Sequence, residues 1–122
     1  MKRIDEFTLN GKNFVYIDFS GLTSDNDYLE AVKLAQSVIA KYPEQTVYTI
    51  TNISNLKFDT HTKEIAAKYV EHNKPYVKYG VIIGMDGIKK MMALTVMKLS
   101  GRKNYSFAFS KEKAIEWLLQ QE

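Results

Sequence analysis

Cysteine is absent from the 122-residue chain. Disulfides, thiolate zinc sites, iron–sulfur clusters and thiol nucleophiles are thereby excluded, and a reducing cytoplasm is the expected compartment. Proline occurs twice and glycine six times, too rarely for a collagen-like or low-complexity chain. Histidine, the residue type whose free side chain changes charge near neutrality, occurs only at His61 and His72. Long apolar runs are missing too. The longest nearly uncharged apolar run, Tyr79 to Met85, falls far short of the roughly 20 residues that cross a bilayer, so no transmembrane segment is expected. Met1-Lys2-Arg3-Ile4-Asp5-Glu6 places acids directly after the basic pair, which predicts no signal peptide.

What is present is ordinary for a globular protein: 45% hydrophobic and 25% charged residues. The length fits a single domain over 1–122. The net charge of +3 is unevenly spread. Residues 1–59 carry 6 Lys/Arg against 8 Asp/Glu, residues 60–105 carry 9 against 3, and residues 106–122 carry 2 against 3. The third quarter is a basic segment suited to an anionic surface.

Periodicity gives the order of elements. Glu6 to Asn10 alternates, Asn10-Gly11 signals a hairpin turn, and Asn13 to Phe19 reads as a strand apolar on both faces. Ser24-Asp25-Asn26-Asp27 supplies helix caps. Tyr28, Ala31, Val32, Ala35, Val38, Ile39 and Tyr42 then share one face of a helix to about Lys41, which Pro43 stops. Thr46 to Ile53 is a β-branched and aromatic strand. Asp59 or Thr60 caps a second helix to about Asn73, with Ile65, Tyr69 and Val70 inward. Val77 to Gly84 is the most apolar strand and is expected at the centre of the sheet, with Gly80 marking a close approach. Asp86-Gly87 opens a third helix that Ser100-Gly101 ends. Tyr105 to Phe109 is a fifth strand, and Ser110 caps a last helix that buries Ala114, Trp117 and Leu118. The order ββαβαβαβα predicts an α/β fold: a five-stranded, mostly parallel mixed sheet with four helices.

Candidate chemistry is sparse. His61 and His72 bracket the second helix roughly 16 Å apart, too far to share a metal ion. No Gly-x-Ser-x-Gly elbow is present, and Asp25 and Asp27 are expected caps. No metal site and no cofactor are expected. Gly84-Met85-Asp86-Gly87-Ile88-Lys89-Lys90 joins a strand to a helix where backbone N–H groups could meet an anion. However, it matches no phosphate-loop spacing, and Asp86 would repel a phosphate. Lys74, Lys78, Lys89, Lys90, Lys98, Arg102 and Lys103, with Tyr76, Tyr79 and Tyr105, could line a nucleic-acid face. No such motif is recognisable, and specific nucleic-acid binding is not expected.

The third helix carries the most information. Ile88, Met91, Met92, Thr95 and Leu99 form a stripe expected to face inward. Ala93 and Met97 then fall on the opposite side, which a surface helix normally keeps polar. Four of the five methionines (Met85, Met91, Met92 and Met97) lie in this region, and methionine-rich surfaces adapt to varied apolar partners. Met85, Met91, Ala93 and Met97, with Lys89, Lys90 and Arg102, are the candidate interface or ligand residues. Met97 is expected to contact a second chain or an apolar ligand.

His72-Asn73-Lys74-Pro75-Tyr76-Val77-Lys78, Val81 to Lys90, Ser100-Gly101-Arg102 and Ala114 to Leu118 together resemble the small prokaryotic SpoIIAA-like group of STAS/SEC14-type domains. The resemblance runs from the strand at Thr46 to the last helix and implies a STAS-like sandwich. Anti-sigma antagonists of the broader group carry a phosphorylated serine in an Asp-Ser-x-Gly stretch. The matching Asn52-Ile53-Ser54-Asn55-Leu56 keeps the serine without the Asp or the Gly. The switch is therefore not carried over, and Ser54 stays a candidate phosphosite whose simpler reading is a loop serine bonded to local backbone. The resulting expectation is a non-catalytic STAS-like regulatory or interaction module, homodimeric through the helix at 86–100 or bound to a protein partner. The alternative is a small SEC14-like protein that binds an apolar or amphipathic, lipid-like ligand.

Overall fold

In a computed structural model, which describes residues 2–121, Asn10 and Gly11 both have positive φ (51° and 75°). That is the requirement of a two-residue type I′ hairpin turn, and it closes β1 (Ile4–Leu9) onto β2 (Lys12–Asp18) in antiparallel register, Leu9 opposite Lys12. The strand starts two residues before the alternation suggested. β3 (Val47–Asn52), β4 (Val77–Ile83) and β5 (Tyr105–Ala108) then add in parallel, in the sequential order β1-β2-β3-β4-β5. β4 is interior, but the centre of the sheet is β3. Over the described residues the protein is thus α/β with a five-stranded mixed sheet and four helices.

Each parallel connection is a helix: α1 (Asp25–Ile39), α2 (Thr60–Asn73) and α3 (Gly87–Ser100). Each start is capped by a side chain that satisfies an otherwise orphaned N–H. Ser24 accepts from the Asp27 N–H, and Asp59 and Thr62 form a reciprocal capping box. Asp86 accepts from the Lys89 N–H at 2.9 Å. Connections of one hand between successive neighbours place their helices on one face. Residues of α1, α2 and α3 accordingly share a core with Val15, Ile17, Val47, Val77 and Ile82. Phe19 stands at its centre, edge-on to Tyr28 (5.2 Å) and Tyr69 (5.4 Å).

α4 (Lys111–Leu119) follows the last strand and is not a crossover, so it covers the other face. Ala114 and Leu118 pack there against Phe14, Tyr48, Ile50, Val81 and Ile83. Trp117, expected to be buried, is half-buried and lies edge-on to Tyr79 at 5.9 Å; α4 is short, and its side turned from the sheet has no covering layer. The Lys12 ammonium donates to carbonyls at its end, those of Leu118, Leu119 and Gln121, which also complements the helix dipole.

Two glycines are dictated by packing. A Cβ on Gly80 would come within 2.8 Å of Thr49 Oγ1, the close approach expected of it. Gly84 ends β4 at φ 83°, and a Cβ there would collide with the Ser54 hydroxyl and lie 2.7 Å from the Ser54 backbone nitrogen. Gly84→Ala should therefore lower stability by about 2 kcal/mol, combining left-handed strain with a backbone clash. Urea denaturation checks this, with an unchanged midpoint as the contrary result.

Candidate functional site

The third helix is well defined at both ends. Asp86 caps its start, and Gly101 ends it in the left-handed region at φ 73°. There the Gly101 N–H donates to the Lys98 carbonyl and the Arg102 N–H to the Met97 carbonyl, the bonding pattern of a Schellman stop. Its rotation about its own axis is opposite to the one expected. Ala93, Val96, Met97 and Ser100 are buried against the sheet and α2. Ile88, Met91 and Leu99 expose 75%, 71% and 69% of their surface. Leu94 and Thr95 are also exposed, and Met92 is half-buried.

This corrects two of the candidate interface residues. Ala93 and Met97, at 5% and 7% exposure, are core residues with no surface to offer a partner. The small side chains of Ala93 and Ser100 let the helix backbone approach its neighbours, and Met97 fills the space between them. The stripe that was to face inward is too bulky for that seat and points outward. Met91 stays a surface candidate, while Met85 is half-buried against the core.

Beyond its Asp86 cap the charge along this helix has one sign. From Gly87 to Lys103 there are five cations (Lys89, Lys90, Lys98, Arg102 and Lys103) and no acid. The whole chain carries +3, so everything else together is net −2. Lys90 and Lys98 are exposed, and Lys89 is half-buried in the first turn. The Lys90 ammonium sits 5.3 Å above the Phe107 ring. Phe109, just past β5, is fully exposed, and it lines one open crevice with Gly87 and Lys90. Phe109 thus adds an exposed aromatic ring beside the start of α3, in the crevice that also holds Asp86. Nothing in the strand pattern marked it, because alternation alone does not show where an edge strand stops. Arg102 turns the other way: one guanidinium nitrogen lies against Gly80, and burial pulls its pKa down.

The remaining candidates are explained by their neighbours. The Ser54 hydroxyl donates to Asn52 Oδ1 at 2.8 Å, and the Ser54 N–H donates to the same oxygen at 3.0 Å. The Asp86 carboxylate occupies the N–H at the start of α3 that an anion would need. Tyr76 and Tyr105 pack on the three-helix face and Tyr79 on the α4 face, so the three tyrosines form no common stacking platform. Among the described residues no cluster of three or more metal-ligating side chains occurs, and no helix is long and apolar enough to cross a membrane. Between the sheet and α1 to α3 lies a cavity of about 60 Å³, bordered by Tyr28, Ile53, Phe58, Tyr69 and Met97 among others.

His61 Nδ1 meets Asp25 Oδ2 at 2.7 Å, joining the start of α2 to that of α1. Lys57 lies 3.5 Å from Asp25 and 3.1 Å from Asp59. His61 is largely exposed, so the cluster is an interhelical tie in solvent. His72 faces Asn73 at 3.1 Å. No family model and no curated protein matches the chain in sequence.

Two outcomes test this geometry. Met97→Glu buries a charge without a partner and should cost about 3 kcal/mol or more, whereas Met91→Glu should stay within about 0.5 kcal/mol of wild type. Denaturant melts that rank the pair the other way would restore the opposite rotation of α3. The second outcome concerns pH. Hydrogen bonding and charge from Asp25 raise the His61 pKa above 6.5, and the bond to His61 leads the causes that hold Asp25 below 3.8. The His61 contribution is complete below about pH 6.5 and lost as pH rises through its raised folded value. The Asp25 contribution is complete above about pH 3.8 and lost as pH falls through its lowered one. The thermal midpoint should therefore decline on the alkaline side of this window, and His61→Gln should flatten that decline.

Proposed function

We propose that the chain is a non-catalytic docking module of STAS-like type, acting in the cytoplasm through the outer face of α3. The observation that carries this reading is the exposure of Ile88, Met91, Leu94 and Leu99 on one helix. Monomeric proteins seldom leave so contiguous an apolar stripe in water without a use for it. The family resemblance of the sequence and the ββαβαβαβα order support the same reading. The self-association expected through residues 86–100 is one form of such docking, now resting on Ile88, Met91 and Leu99. The non-catalytic reading rests on placement: in the His61–Asp25 pair the imidazole is largely exposed, no serine or threonine hydroxyl is bonded to the pair among the described residues, and the Ser54 hydroxyl is engaged with Asn52.

The alternative, a SEC14-like carrier that encloses an apolar ligand, has less support. A cavity of about 60 Å³ is smaller than the roughly 150 Å³ that admits benzene. The crevice at Phe109 is larger, about 390 Å³, but Asp86, Lys90 and two glycines share its wall with the apolar side chains, unlike the predominantly apolar lining of a lipid-like ligand's pocket.

Photocrosslinking in the native host tests the docking reading. A photoreactive phenylalanine analogue in place of Thr95, in the middle of the outer face, should give defined adducts, whether with protein or with lipid. The same probe in place of Glu30, exposed on α1, should not. Equal, diffuse labelling at both positions would refute docking through α3.

A further inference from the structure

Building on the docking reading, we infer that the partner of α3 is the surface of an anionic lipid bilayer, with Ile88, Met91, Leu99 and Phe109 entering the acyl boundary and Lys89, Lys90 and Lys98 meeting acidic head groups. An interfacial helix of this kind needs exposed aliphatic or aromatic side chains, flanking lysines and a length that can lie flat. α3 has all three over 14 residues, about 21 Å.

Charge separates this occupant from a second copy. A two-fold dimer is isologous, so each chain would present the same face to the other. Lys89, Lys90 and Lys98 of one chain would then meet the same three lysines of the other, with no acid from Gly87 to Lys103 to offset them. Area points the same way. Half the cylinder of a helix about 21 Å long and about 10 Å across is roughly 330 Å², well short of the roughly 800 Å² that each partner buries in a standard protein interface. A bilayer requires no matched area, because lipids adapt to the shape that enters. Nucleic acid also attracts lysines, but it has no apolar partner for Ile88, Met91 and Leu99. A cytoplasmic leaflet supplies both the negative potential and the hydrocarbon.

Vesicle flotation with the full chain tests the inference. The protein should float with vesicles of equal parts phosphatidylglycerol and phosphatidylcholine, much less with pure phosphatidylcholine, and less again as salt rises. Lys89→Gln/Lys90→Gln/Lys98→Gln should weaken binding by about a hundredfold, at roughly fivefold per lysine. Ile88→Ser/Met91→Ser/Leu99→Ser should abolish it. All six side chains lie outside the buried core, so both variants should keep the wild-type circular-dichroism melt. Phe109→Ser provides an independent apolar test if the triple serine variant melts early. Failure to float with either vesicle, or equal flotation with both, overturns the inference. If Thr95 crosslinks to protein while flotation fails, docking through α3 stands and the bilayer is excluded. Concentration-dependent dimerisation lost with Ile88, Met91 and Leu99, without flotation, assigns the face to a second copy.

Discussion

Sequential strand order is the constraint from which the rest of this structure follows. Because each parallel strand is laid beside the one before it, the three crossover helices form a single row on one face of the sheet. α2 is flanked by α1 and α3, but α3 is the last of the row and has a helical neighbour on one side only. Beneath its free side lies β5, an edge strand of four residues, all only half-buried. Neither sheet nor helix extends far enough to cover the outer half of α3. Its apolar stripe is exposed by the topology itself, whichever residues occupy it.

The ends of α3 hold that exposure in place. At one end, Gly84 brings β4 against Ser54 and Asn52, so the turn into Asp86 cannot shift without a clash. At the other, the Schellman bonds from Gly101 and Arg102 fix the last turn, and the Arg102 side chain runs in beside Gly80. With both ends fixed, α3 cannot easily roll to bury Met91 in place of Met97. Rotation of the helix would also replace Ala93 and Ser100 by larger side chains where the backbones lie closest, and close-packed interiors resist such a change in volume.

Much of this was legible in the sequence. The Asn10-Gly11 turn, the caps at Ser24, Asp59, Asp86 and Ser110, the stop at Gly101 and the stripes of α1 and α2 each had a local physical cause, and each lies where that cause put it. The rotation of α3 had none. Two apolar stripes run along that helix, and hydrophobic spacing finds both without ranking them. The sign that could have ranked them is size. Ala93 and Ser100 mark the side of closest approach, whereas Met91 shares its side with Lys98 and the polar Thr95. Lys89 blurred even that, since it lies beside the buried stripe and escapes only because the first turn leaves room for its long stem to reach water. Phe109 was hidden for another reason. It continues the alternation of β5, but the partner strand β4 ends its pairing at Ile83 opposite Ala108, leaving Phe109 beyond the sheet.

An exposed apolar helix would ordinarily be a liability, and its charge bears on why this one is tolerated. Lysines flanking an apolar surface keep copies of a chain apart in water, and the absence of any acid from Gly87 to Lys103 makes the repulsion one-sided. Protection of this kind acts only between like surfaces. Against a negative bilayer the same lysines become attractive, and the stripe they guarded is then buried in hydrocarbon. The two properties of α3, an apolar face and an unbalanced charge, oppose each other for a partner identical to itself and reinforce each other for an anionic one. A second copy brings one acid per helix, the Asp86 cap, whose carboxylate is already engaged with the Lys89 N–H. An acidic lipid surface brings those charges and the apolar phase together.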